Sequence, residues 1–143
     1  MNILGLHSGH DASFALITDG KLISSISVER FTRNKKDTIL SRESAERFLK
    51  ENKIGWDDID AIGTYNKESV IMNHLDSYPN KIQETDFGYT LPSYIDRIQP
   101  PYSNTTITSQ YFITLNIVVE GYDRVIPGYL IDHHMAHASS AFY

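Results

Sequence analysis

Cysteine is absent from the 143 residues. That excludes a disulfide scaffold, a thiolate zinc site and a cysteine nucleophile, and it agrees with a reducing compartment. Long apolar runs are absent too. A bilayer span needs about 20 consecutive apolar residues, and no stretch qualifies, so no membrane partner is expected. The opening Met1-Asn2-Ile3-Leu4-Gly5 lacks the basic region of a signal peptide, and a cytoplasmic location is expected. An excess of positive charge is also missing. Formal net charge is −5 and the pI is near 5.6. Nucleic acid is therefore excluded as the main partner, because phosphate binding wants a basic face.

What remains is the composition of an ordinary globular domain, 41% apolar and 22% charged. A chain of about 150 residues buries roughly 68–70% of its unfolded surface and needs no staples. The charge is uneven. Residues 1–36 carry five Lys/Arg against three Asp/Glu, whereas the rest carry eight against fifteen.

The chain opens as a β-meander. Asn2 to His7 is a short apolar run, Ser8-Gly9-His10-Asp11 has turn chemistry, and Ala12 to Thr18 is a second strand. Asp19-Gly20 suits a two-residue type I′ hairpin turn, and Lys21 to Val28 returns as a third strand. The spacing of Ala45, Phe48 and Leu49 predicts a helix over Ser41 to Lys53, with Gly55 as its stop. Ile59 to Thr64 reads as a fourth strand. A strand directly after a helix points to an α/β layer architecture. Residues 74–109, broken by Pro79, Pro92, Pro100 and Pro101, read as a surface excursion or a lid. Tyr111 to Val119 fits both a strand and a helix face. Val125 to Ile131 reads as a strand, and Asp132 as the N-cap of a helix that runs to Tyr143.

Three clusters carry chemistry. Near the end, His133 and His137 stand four apart, so on a helix they share a face and can hold one metal ion. His134 and His137, three apart, can also approach each other. Two imidazoles do not close a site, and catalytic metals usually take about three protein ligands, so a carboxylate must come from elsewhere. Taken alone, such a pair is more often a solvated histidine-rich helix start. Near the beginning, Ser8-Gly9-His10-Asp11 joins two strands. Gly9 lets a ligand approach the backbone, and His10 can act as acid or base near neutral pH; a plain polar turn is the blander reading. Third, Glu29 to Asp37, at the end of strand three, holds four basic residues in seven, Arg30, Arg33, Lys35 and Lys36. Such a run clamps phosphate or carboxylate groups, or is merely solvated.

Gly9-His10-Asp11-Ala12-Ser13, Asp19-Gly20, Glu29-Arg30-Phe31-Thr32-Arg33 and His133-His134-Met135-Ala136-His137-Ala138 occur in that order. Together they resemble the N-terminal part of the carbamoyltransferases of the nodulation and antibiotic-tailoring type, the NodU and TobZ kind. The resemblance is firmest over residues 1–66 and 125–143. It implies a ribonuclease-H-like, actin-like ATPase subdomain, α/β in class, opening with a three-stranded meander. It implies carbamoyl transfer from carbamoyl phosphate, through a carbamoyl-adenylate made from ATP, to an acceptor hydroxyl. It assigns His133 and His137 to a divalent metal, iron or else zinc. His10 falls where the family has an acid/base histidine, and Lys35, with Arg33 beside it, lies near the substrates. Where family members read Lys-His-Asp, this chain has Lys35-Lys36-Asp37, a departure that bears on the role of the loop.

Family members run to several hundred residues. The expectation is therefore that residues 1–143 form the first half of the ATPase-like domain, incomplete without its second half and a YrdC-like adenylate-forming domain as partners. Alone, such a half is expected to bind metal weakly, to transfer no carbamoyl group, and either to self-associate through Phe142 and Tyr143 or to have a mobile C-terminal end. The competing readings are a non-catalytic module that pairs with a separate polypeptide or with itself, and a plain metal- or anion-binding domain.

Overall fold

The computed structural model describes residues 1–8, 11–66, 94–98, 106–109, 112–132, 136 and 138. The first three strands are β1 (Asn2–His7), β2 (Ser13–Thr18) and β3 (Lys21–Ser27). They form the expected antiparallel meander, with Gly5 opposite Ala15 and Ser13 opposite Ser27. Asp19 and Gly20 take φ of 49° and 78°, as a type I′ turn demands at both positions. The strand register shifts between Leu16 and Ile17, a bulge that leaves Leu22 and Ile23 exposed on the edge strand.

Beyond β3 the chain turns at once into α1 (Glu29–Thr32), a single helical turn. The sequence places this basic cluster at a strand end. The ladder stops because the last residue of β3 pairs with the first of β2. The Val28 carbonyl then accepts from the Phe31 and Thr32 amides at 2.8 and 3.0 Å.

The helix expected over Ser41 to Lys53 is α2 (Arg42–Glu51). Ser41 caps it, its hydroxyl accepting from the Ser44 amide at 3.1 Å. Arg42 pairs with Glu46 and Arg47 with Glu51 at i,i+4 spacing, each worth a few tenths of a kcal/mol at this exposure, roughly 0.3–0.5. Gly55 is not the stop. Lys53 takes the left-handed conformation, with φ 60°, and the Ile54 amide returns to the Leu49 carbonyl at 3.1 Å, closing the helix as a Schellman turn. Partly buried Ile54 then packs on the core. Gly55, in extended backbone, starts the 3-10 turn Trp56–Asp58.

The fourth strand, β4 (Ala61–Asn66), begins and ends two residues later than expected. It pairs parallel to β1, Leu4 beside Ile62 and Leu6 beside Thr64. Residues 74–109 contain two short strands, β5 (Ile95–Ile98) and β6 (Thr106–Ser109), with buried Tyr94 leading into β5. The excursion read there is corrected to that extent, and the rest of it lies outside the described residues. Four-residue strands are too short to show a period, and both exist by pairing with β7 (Phe112–Val119). The ambiguous apolar segment is thus a strand. β8 (Val125–Asp132) pairs antiparallel with β7 and parallel with β4. It reaches Asp132, one residue past the expected end, and Asp132 lies beside Asn66.

Among the described residues the sheet order is β3-β2-β1-β4-β8-β7-β5, with β6 also on β7. One face is the core. Leu4, Leu6, Phe14, Leu16, Ile62, Ile126 and Leu130 alternate inward against Ala45, Phe48 and Leu49 of α2. The Phe14 and Phe48 rings stack with centroids 5.5 Å apart. Phe142 and Tyr143, on which the expectation of self-association rests, lie outside the described residues.

Candidate functional site

Three parallel strands end at the same side of the sheet. Leu6 lies beside Thr64 and Thr64 beside Leu130. The ends His7-Ser8, Tyr65-Asn66 and Ile131-Asp132 are therefore neighbours. The carboxyl ends of parallel strands are where open α/β sheets bind ligands. The antiparallel strands meet this edge too, for β2 starts here and β3 finishes here.

The loop after α1 is tied to the same place. The Ala12 amide donates to the Asp37 carbonyl at 3.0 Å, and the Val28 amide to the Ala12 carbonyl at 2.7 Å. The fold thus draws two of the sequence clusters, the turn after β1 and the loop after α1, to one sheet end. The third cluster follows directly from β8, which finishes at that end.

Within the loop the acidic groups are consumed internally. The Thr32 hydroxyl donates to Asp37 at 2.7 Å, and the Ile39 amide to its other carboxylate oxygen at 3.0 Å. Hydrogen bonding from Thr32, then from the Ile39 amide, holds the Asp37 carboxyl below its ordinary value. Glu29 accepts from the Lys36 amide at 3.2 Å. Arg33, in left-handed backbone at the end of α1, and Lys35 are exposed. Among the described residues neither has an ion-pair partner. A loop whose carboxylates are satisfied by its own donors presents its cations outward, as an anion clamp requires. Arg47 of α2 lies over the Phe31 ring, 4.6 Å from its centroid, and braces α1 from beneath.

Two residues that sequence reasoning did not single out stand at the centre of the edge. His7 and Tyr65 stack with centroids 4.9 Å apart and planes 22° from parallel. The Tyr65 hydroxyl donates to the Ser8 carbonyl. Partial burial pushes the Tyr65 phenol up from its ordinary pKa, so it remains a proton donor throughout the neutral range. The signal for His7 was its place among the histidines of the first ten residues. Nothing local marks Tyr65, because its partner Ser8 is 57 positions away.

Of the expected site residues, Arg33 and Lys35 are thus brought to the sheet end. His10, His133 and His137 lie outside the described residues. Ala136 and Ala138, on either side of His137, are helical. Among the described residues no three His, Asp or Glu side chains gather as a metal site, and no helix is long and apolar enough to cross a membrane.

Against known proteins, a family profile described as carbamoyltransferase N-terminus matches residues 2–143. A curated protein of Synechocystis sp. (strain ATCC 27184 / PCC 6803 / Kazusa), described as uncharacterized protein sll1178, is 28% identical over 151 aligned residues. The alignment covers 99% of this chain and 23% of that protein. The chain therefore spans about a quarter of the length of that relative.

Proposed function

The chain belongs to the carbamoyltransferase family, matching its N-terminal domain over residues 2–143, and from that premise we propose that the edge formed by the ends of β1, β4 and β8 is part of an O-carbamoyl-transfer site. The observation that carries the reading is the joining of the turn after β1 and the basic loop after α1 at the carboxyl ends of parallel strands. In this reading an acceptor hydroxyl attacks the carbamoyl carbon of a carbamoyl-adenylate. A bond forms from the acceptor oxygen to that carbon. The bond from the carbon to the phosphate oxygen breaks, and AMP leaves with the electron pair. His10 takes the hydroxyl proton. Lys35 and Arg33 face the charge that grows on the leaving phosphate, the kind of fixed positive charge that stabilises a transition state more than the ground state.

His133 and His137 are the candidate metal ligands. Two neutral imidazoles suit iron or zinc, with the remaining donors supplied from outside this pair. When bound, a divalent ion would neutralise charge on phosphate oxygens. The finer fold reading is a ribonuclease-H-like half of an ATPase-like domain. An antiparallel meander followed by strands parallel to β1 supports it. The second half of that domain and the adenylate-forming domain belong to the proposal as partners.

Carbamoyl transfer assayed in the full-length protein with carbamoyl phosphate, ATP and a panel of hydroxyl acceptors tests the reading. Lys35→Ala is expected to lower kcat for carbamoyl transfer by roughly tenfold or more, as loss of a charge-assisted contact made in the transition state does. Unchanged kinetics in Lys35→Ala would remove the loop from the site.

A further inference from the structure

We propose that Tyr65 is a positioning residue, which locks the end of β1 to the end of β4 and so fixes where the β1–β2 turn presents its groups. The inference rests on the reading of this edge as the transfer site, and it concerns a residue that the family resemblance does not mark.

Two separate contacts define the lock. The ring of Tyr65 stacks on His7, the last residue of β1. Its hydroxyl donates to the carbonyl of Ser8, the first residue past the strand. One side chain therefore grips the chain at two successive residues, by a face and by a directional bond. The parallel ladder between β1 and β4 runs only from Ile3 beside Ala61 to Leu6 beside Thr64. Its last facing pair is Leu6 and Thr64. Tyr65 continues the attachment through its side chain. On the other flank the β1–β2 ladder does reach His7, beside Ser13. Ser8 is thus the point at which strand pairing ends and the turn begins.

This placement has a use in the proposed chemistry. The turn from Ser8 to Asp11 leads to His10 and joins β2 at Ala12, whose amide and carbonyl also hold the basic loop. A shift at Ser8 is transmitted to the proton acceptor and to the anion clamp together. Partial burial keeps the phenol protonated well above neutrality, so the bond to Ser8 is not lost across the working range.

The test is Tyr65→Phe in the full-length protein. It keeps the ring and removes the hydroxyl that bonds Ser8. The expected result is a kcat for transfer lowered roughly three- to tenfold, the worth of one such bond, because the proton acceptor is displaced rather than lost. The KM for carbamoyl phosphate should change by less than about twofold, since that substrate is consumed in the separate adenylate-forming step. Backbone amides of residues 11–13 should exchange faster, while α2 amides keep their protection. The exchange readout does not depend on transfer activity. Wild-type kcat together with wild-type exchange would overturn the positioning role. So would a fall in kcat at unchanged exchange, which belongs to a group acting directly in the chemical step. Lys35→Ala separates the two ideas. If it lowers kcat while Tyr65→Phe does not, the lock fails and the site reading stands. If Lys35→Ala leaves kcat unchanged while Tyr65→Phe accelerates exchange, the lock is real but does not serve this site.

Discussion

The meander of β1, β2 and β3 and the far half of the sheet, β8 with β7, β5 and β6, are built from equally apolar strands but by different means. In the meander each strand meets the next through a short connection. The Asp19-Gly20 turn supplies the backbone twist, and the first residue past the turn pairs at once with the last before it. In the far half β6 meets β7 across two residues, with Ser109 opposite Phe112, and β7 meets β8 through a turn with Gly121 at φ 80°. β5 and β6 are short and depend on β7. β8 reaches β4 across more than fifty intervening positions of sequence, Thr64 lying beside Leu130. Local pairings cost little loop-closure entropy, whereas distant ones must be repaid by burial. The difference shows at the corner where Trp56, Tyr94 and Tyr122 meet, with ring centroids 6.1 and 6.4 Å from Trp56. Among the described residues Trp56 Nε1 and the Tyr94 hydroxyl are buried there without hydrogen-bond partners, and the meander has one such atom, Ser27 Oγ.

The largest test of the contrast is Phe48→Ala. Phe48 is buried under the meander against Phe14, and its loss should cost about 3–5 kcal/mol in chemical denaturation. A cost below about 1 kcal/mol would mean that α2 is not what holds the meander's inner face.

A matched pair of turn variants comes next. Gly20→Ala and Gly121→Ala each force a side chain into left-handed backbone and should each destabilise by about 1–2 kcal/mol. The added Cβ meets nothing within 4 Å at Gly20 and only the Arg42 side chain at 3.6 Å at Gly121, so sterics do not distinguish them. If the meander forms early, Gly20→Ala mainly slows folding and Gly121→Ala mainly speeds unfolding. Stopped-flow chevrons with the opposite partition would reverse the order inferred from the local pairings.

Tyr94→Phe should act in the other direction. The hydroxyl it removes is buried and has no partner among the described residues, and burial pushes the phenol up. Stability should rise by about 1 kcal/mol, since an unsatisfied buried group costs that much or more. Loss of stability would show that the hydroxyl has a partner in solution.

The smallest effect concerns pH at the basic loop. Asp37 has a carboxyl pKa lowered from its ordinary 3.8, chiefly by the Thr32 hydroxyl. Its contribution is therefore full above the unfolded value and is lost as pH falls through the lower folded value. Asp37→Asn should flatten that acid limb, measured by urea unfolding between pH 5 and about pH 2. An unchanged limb would mean that the loop is held by its main-chain bonds alone.

The meander and α2 were legible because their signals lie within reach of one turn of chain. Asp19-Gly20 determines its own backbone, and Ala45, Phe48 and Leu49 repeat on one helix face. The short helix α1 was not legible, since what ends β3 is the length of its partner β2. Nor was the termination of α2 at Lys53. Lys53 takes left-handed backbone there, where the closing hydrogen bonds to Lys50 and Leu49 and the packing of Ile54 on the core favour it.

The candidate site divides along the same line. Composition and motif order determined, from the chain alone, that histidines, a basic loop and a glycine turn stand at three distant places, and the family match is consistent with the reading drawn from them. The sequence cannot say what lies beside what. Parallel pairing of β1 with β4 and of β4 with β8 decided that these segments leave the sheet at one edge, and it placed Tyr65 against His7 and Ser8. Parallel register is set by burial on one face of an assembled sheet. No residue carries that information until the strands it depends on are in place.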